Sequence, residues 1–160
     1  LGPQDIQNIV NAFARHNWVK PRETFENYLS DQEKGTRFCW VAYHENDVAG
    51  YVTLTLTSKY QPFADRQIPE IQDLNILPPY RGQGLGSALL DIAEQKAAEI
   101  SKIVGIGVGL YKDYGTAQRL YVKRGYVPDG QGVTYNYGST IPGQSYRLDD
   151  EFVLWFTKNF

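Results

Sequence analysis

The sequence predicts a mixed α+β domain, and three patterns carry that prediction. Apolar residues recur at helical spacing near the N-terminus, apolar and polar residues alternate strictly through 52–57, and a glycine-rich turn joins a short apolar strand to an amphipathic helix over 74–98. A chain of 160 residues fits one domain, taken here as 1-160, and can bury a real core. Its 42% hydrophobic and 14% aromatic content is that of a globular chain.

In chain order, Ile6, Ile9, Val10 and Phe13 predict a helix from about Gln4 to His16. Pro21 suits the first turn of a second helix with Phe25, Tyr28 and Leu29 as its stripe and Gly35 as its stop. Arg37 to Tyr43 and Val48 to Ser58 read as strands, the second half-buried, with Val52, Leu54 and Leu56 on one face and Thr53, Thr55 and Thr57 on the other. Tyr60 to Pro69, with two prolines, reads as a loop. Glu70 to Ile76 is a strand, and Gly84 to about Ile100 is a helix with Leu85, Leu89, Ile92 and Ala93 facing inward. Ile103 to Leu110 is an apolar strand whose Gly105, Gly107 and Gly109 share one face, so that either a helix or a ligand packs close there. Asp113 is placed to cap a helix over Thr116 to Arg124, ended by Gly125. Tyr126-Val127 begins a strand, 130–149 carries no clear pattern, and Glu151 to Lys158 alternates as a C-terminal strand.

Bulk properties narrow the function classes. A net charge of −2 offers no basic field for nucleic acid. No apolar run approaches the ~20 residues of a membrane span, and no basic-then-apolar leader is expected. Cys39 is the only cysteine, so no intrachain disulfide forms and a reducing, cytoplasmic setting is expected. Its strand position makes it a small core residue rather than a nucleophile. His16 and His44 lack the ligand spacing of a metal site, so none is expected.

The chemistry concentrates after Pro78-Pro79, in Arg81-Gly82-Gln83-Gly84-Leu85-Gly86. Glycines here let the backbone adopt φ > 0 and approach a ligand, and the helix that follows offers unpaired N–H groups and a positive dipole end. Arg81 adds a forked cation. The pattern suits a pyrophosphate. A P-loop is excluded, because Ser87-Ala88 rather than Lys-Ser or Lys-Thr follows the last glycine. The dinucleotide fingerprint is closer, through Gly82, Gly84 and Ser87, but Pro78 to Arg81 separate the first glycine from the strand. Arg/Gln-x-x-Gly-x-Gly after strand-x-Pro-x-x, met here by Arg81-Gly82-Gln83-Gly84-Leu85-Gly86, instead resembles the acetyl-CoA loop of the GCN5-related N-acetyltransferases. Ala117 to Tyr126 resembles that family's second signature, A-x-x-L-Y-x-K-x-G-F/Y.

The resemblance implies the acyl-CoA N-acyltransferase fold, with a mostly antiparallel central sheet flanked by helices. It implies acetyl-CoA as cofactor, its pantetheine arm along Leu74, Asn75 and Ile76 and its pyrophosphate on the amides of Arg81, Gly82, Gln83, Gly84, Leu85, Gly86 and Ser87. It also implies that Tyr121 protonates the leaving thiolate, as a phenol of pKa ~10 can towards a thiol near 8.5. The sequence departs from the family twice. Tyr114 stands where an Asn is common, with Asp113 the nearest polar substitute, and is carried as a cofactor contact; Gly109 stands where several members place an acidic base. Asp73 and Glu70 are the substitutes, with Asp73 preferred because it is nearer the acyl position. Being three apart on a strand they should face opposite ways, only one into the cleft.

These readings converge on an acetyl-CoA-dependent N-acetyltransferase attacking directly in a ternary complex. Its acceptor would be a small-molecule or peptide amine, with Tyr135, Tyr137, Tyr146 and the acidic 149–151 suited to a cation. Neither nucleic acid nor membrane is an expected partner, and homodimerisation is left open. Two rivals stand beside it: a non-catalytic acyl-CoA-binding module on the same fold, and a nucleotide-dependent oxidoreductase.

Overall fold

The computed structural model describes Leu1–Phe160 throughout. Two helices, α1 (Pro3–Ala14) and α2 (Arg22–Glu33), precede a hairpin of β1 (Arg37–His44) and β2 (Asp47–Thr55). A short α3 (Gln61–Asp65) leads to β3 (Glu70–Ile76), α4 (Leu85–Ile100), β4 (Ile103–Gly109), α5 (Gly115–Lys123), β5 (Val127–Tyr135), β6 (Gly138–Ser139) and β7 (Phe152–Asn159). The strands form one 7-stranded sheet in the order β1-β2-β3-β4-β7-β5-β6. Every pairing is antiparallel except β3 with β4. The crossover through α4 explains that exception, since parallel neighbours need a long connection.

Helices cover both faces. Leu89, Leu90, Ala93 and Ala97 of α4 and Tyr121 of α5 pack on Val52, Leu54, Ile71, Val104, Ile106 and Val108. On the other face, Ile6, Ile9 and Phe13 of α1 and Phe25 of α2 pack with Val48, Tyr51 and Leu77. Each of the valine, leucine, isoleucine and phenylalanine side chains contributes about 1.5–3 kcal/mol through burial. A smaller cluster of Tyr60, Phe63, Ile68 and Trp155 covers the second face beyond α2. No helix is long and apolar enough to cross a membrane.

Several expectations from the sequence are corrected here. β2 is buried on both faces, Thr53 and Thr55 included, because α1 and α2 cover the side that alternation assigned to water. The expected loop 60–69 contains α3, whose Phe63 is an anchor in the small cluster. On α4 the buried face is Leu89, Leu90, Ala93 and Ala97, and Ile92 lies 43% exposed. Asp113 caps nothing: a 3-10 turn over Lys112–Tyr114 runs straight into α5. The unpatterned stretch holds most of β5, whose pairing to β7 shifts register between Pro128 and Val133, followed by the two residues of β6. Irregular pairing of this kind erases the period-2 signal. Cys39 is buried as expected, and burial pushes its thiol up to about 12.

Candidate active site

β3 and β4 pair only at Glu70↔Gly105 and Ile71↔Ile106, then part. From Gln72 to Ile76 the β3 edge that faced β4 is therefore free of a strand partner. On its other edge β3 bulges against β2: Tyr51 faces Asn75 and Thr53 faces Gln72, so Asp73 and Leu74 share the place opposite Val52. Asp73 takes the left-handed conformation that this requires, φ 53°. Leu74, Asn75 and Ile76 thus lie on an edge without a strand partner.

The glycine-rich turn follows at once. Gly82 (φ 74°) and Gly84 (φ 84°) are left-handed, and Gly84 is the residue preceding α4. None of the amides from Gly82 through Ser87 finds a backbone acceptor. Gly86 passes the Ile76 side chain at a distance where an added Cβ would lie 3.8 Å from it. Arg81 donates through Nε to the Ile76 carbonyl at 2.9 Å, and Gln83 donates to the Pro79 carbonyl at 3.0 Å. These two side chains brace the turn while its amides stay available to an anion. The set fits a diphosphate on residues of this chain alone.

A cavity of about 480 Å³ occupies the split and reaches both faces of the sheet. On the α5 side it is walled by Leu74, Ile106, Ala117 and Tyr121, and on the other by Arg37, Glu70, Gln72, Tyr137 and Trp155. Tyr121 is 5% exposed, yet its hydroxyl has no partner in the chain and is not sealed off from the cavity. Burial raises its pKa well above an ordinary phenol, so it keeps its proton at neutral pH.

Glu70 and Asp73 both line this cavity. The expectation of opposite faces fails because the bulge at Asp73 breaks the alternation. Asp73 accepts from the Tyr28 hydroxyl of α2. Glu70, 3% exposed, accepts from Ser58 Oγ and from Gln72 Nε2 at 2.9 Å. Burial pushes the Glu70 carboxyl above the usual range, and those donors and Arg37 pull it partly back. Tyr114 also lines the cavity, with its hydroxyl donating to Asp150 at 2.9 Å beside that of Tyr111. Asp113 is exposed and no part of the cavity.

The glycine stripe of β4 is packed closely: Gly105 faces helix α3 through Phe63, and Gly107 and Gly109 face side chains of β7 and of the turn before α5. A Cβ on Gly105 would meet Phe63 at 2.1 Å, one on Gly107 would meet Val153 and Trp155 at 2.9 Å, and one on Gly109 would meet Tyr114 at 2.4 Å. Three aromatic rings from separate elements therefore sit where side chains would be, and Gly107 and Gly109 line the cavity beneath them. Of the aromatic tail, Tyr137 reaches the cavity, whereas Tyr135 and Tyr146 pack on Phe152.

Sequence reasoning missed Arg37, Ser58, Gln72 and Trp155, and read Tyr28 as apolar. Arg37 is the residue a sharper reading could have found, since a charge opening an otherwise apolar strand needs a buried partner.

Comparison with known proteins follows the same lines. Residues 4–126 match the model of the acetyltransferase (GNAT) family. Over 87 residues the chain is 31% identical to an aminoalkylphosphonate N-acetyltransferase of Salmonella typhimurium, covering 54% of each. The chain spans about half the length of the curated relatives it matches. Among solved structures it resembles a ribosomal-protein-alanine N-acetyltransferase from Brucella melitensis, at TM-score 0.71 and 17% identity, over 100% of this chain and 97% of that one. It also resembles the PaiA N-acetyltransferase from Thermoplasma acidophilum in complex with coenzyme A, at TM-score 0.67 and 13% identity, over 100% and 96%. At such identities the structures establish the fold.

Proposed function

This chain belongs to the GNAT family of acetyltransferases, and from that premise we propose that it moves the acetyl group of acetyl-CoA onto a primary amine by direct attack in a ternary complex. One observation carries the reading: the strand β3, whose buried Glu70 lines the split in the sheet, runs with a partner-free edge directly into the turn whose amides are left free at the start of α4. When bound, acetyl-CoA supplies the activated thioester.

The chain's own residues do the rest. The amides of Gly82 through Ser87 hold the pyrophosphate, and the open edge at Leu74 to Ile76 orients the arm and offers an N–H to the thioester oxygen. Glu70 takes the proton of the incoming ammonium. Its burial in the cavity and its raised pKa suit it to that work, whereas Asp73 is already engaged by Tyr28, which moves the base from Asp73, the sequence preference, to Glu70. Asp73, tied to Tyr28, lines the acceptor's approach. The Tyr121 hydroxyl keeps a proton at the other end of the cavity for the departing sulfur. Residues 1–160 act as one domain, in a reducing cytoplasmic compartment where Cys39 stays a thiol.

Calorimetric titration with acetyl-CoA and with NADH, followed by thiol release over a panel of small amines and N-terminal peptides, tests the reading. We expect micromolar acetyl-CoA binding and amine-dependent thiol release. Binding without release on any amine would favour a non-catalytic module, and preference for NADH would overturn the assignment.

A further inference from the structure

Glu70 does not meet Arg37 directly. On β3, Glu70 and Gln72 share a face, and Arg37 reaches that face from two strands away, past Thr53 on β2. Its Nη1 donates to Thr53 Oγ1 at 2.7 Å and to Gln72 Oε1 at 3.0 Å. Gln72 in turn donates from Nε2 to Glu70 Oε1 at 2.9 Å, while Ser58 Oγ occupies Glu70 Oε2. A guanidinium has no acceptor, so the amide oxygen of Gln72 must face Arg37 and its NH₂ must face the carboxylate. The chemistry of the two ends leaves one orientation. Arg37 is itself held firmly, 4.4 Å from the Tyr28 ring and 11% exposed at its side chain.

We propose that Gln72 is a positioning residue, which fixes the Glu70 carboxylate against the acceptor side of the cavity and passes the positive field of Arg37 to it through an oriented amide. The proposal rests on Glu70 being the base. A direct Arg37–Glu70 ion pair would lower the carboxyl pKa further, and an apolar neighbour in place of Gln72 would leave the effect of burial less opposed. The other charged or titratable groups lining the cavity with Glu70 are Asp73 on its own strand, Tyr28 of α2, Lys59 beyond β2, Tyr137 from the β5–β6 turn, and Tyr114, Tyr121 and Asp150 across the cavity. None of these donates a hydrogen bond to it.

The test compares Gln72→Glu and Gln72→Leu with the unaltered protein, reading the acid limb of kcat/KM against pH alongside acetyl-CoA affinity. Gln72→Glu keeps the size of the side chain and an acceptor for Arg37 but cannot donate to Glu70 when ionised; Gln72→Leu removes both links. Losing a hydrogen bond to a buried carboxylate raises its pKa, so the limb should move to higher pH by roughly one to two units in Gln72→Leu, and further in Gln72→Glu, whose own carboxylate adds like-charge repulsion. Acetyl-CoA affinity should be unchanged and the high-pH plateau largely kept. A ¹³C-carboxyl NMR titration of Glu70 should shift in the same direction, whether or not a variant is active. A uniform fall in rate with the limb and the titration unmoved would overturn the relay while leaving Glu70 as the base. Full activity of Glu70→Gln with an unaltered pH profile would overturn the base assignment and the relay with it.

Discussion

The two halves of the site are built on different principles. The cradle is continuous in sequence: Ile76 to Ser87 supply its strand edge, its left-handed glycines, its braces and its free amides. It is made of backbone. The acid–base side is made of side chains from β1, α2, the segment after β2, β3, α5 and the β5–β6 turn. Its geometry depends on strand register across the whole sheet. A backbone device announces itself through glycine spacing, whereas a side-chain device exists only once the fold has placed its parts.

The sharpest way to break the cradle alone is Gly84→Asp. The ideal Cβ position at Gly84 has nothing within 4 Å, so packing is spared, and the strain at φ 84° costs about 1–2 kcal/mol. The added carboxylate would lie against the expected pyrophosphate. Acetyl-CoA affinity should fall by at least ~10²-fold in calorimetry, with circular dichroism unchanged. Gly84→Ala, which strains the turn without adding charge, should bind much better than Gly84→Asp.

Glu70→Gln breaks the other half. Turnover at neutral pH should fall by ~10²–10³-fold, recover in part at high pH where free amine accumulates, and leave acetyl-CoA affinity intact. Tyr121→Phe keeps the ring in the core and deletes the unpartnered hydroxyl; kcat should fall by ~10²-fold with little change in cofactor binding. A phenylalanine variant at full speed would reduce Tyr121 to a packing residue. Asp73→Asn sharpens the choice of base. Its carboxylate is already engaged by Tyr28, so kcat/KM should drop less than about tenfold, expressed mainly in acceptor KM.

The smallest effect is on stability. The carboxyl of Glu70 has a higher pKa folded than unfolded, so the folded state binds more protons in between and loses stability as pH rises through that window. Glu70→Gln should therefore melt higher than the unaltered protein at pH 7–8 and show no such gain near pH 4, in paired thermal scans.

The same contrast explains what the sequence revealed. The strand Glu70–Ile76, the glycine turn, α4 and the helix expected over Thr116 to Arg124 were legible because local spacing determines them. The shared orientation of Glu70 and Asp73 was not, because one bulge reverses a parity that alternation takes for granted. Neither was α3, whose Pro62, with Pro69 beyond it, signals a loop although Phe63 fills the space over Gly105. The Arg37–Gln72–Glu70 chain spans three strands and has no linear signature at all.

The brief pairing of β3 with β4 has a mechanical consequence. Two adjacent residue pairs are the only strand pairing between β1-β2-β3 and β4-β7-β5-β6, so within the sheet the two halves meet at a short seam, bridged by the α4 core. A molecule lying in the gap would act as a rivet, adding backbone bonds to the free edge of β3 and lengthening the join. Substrate occupancy would then be felt as rigidity far from the chemistry, and amide exchange along the margins of the two halves would slow as the gap fills.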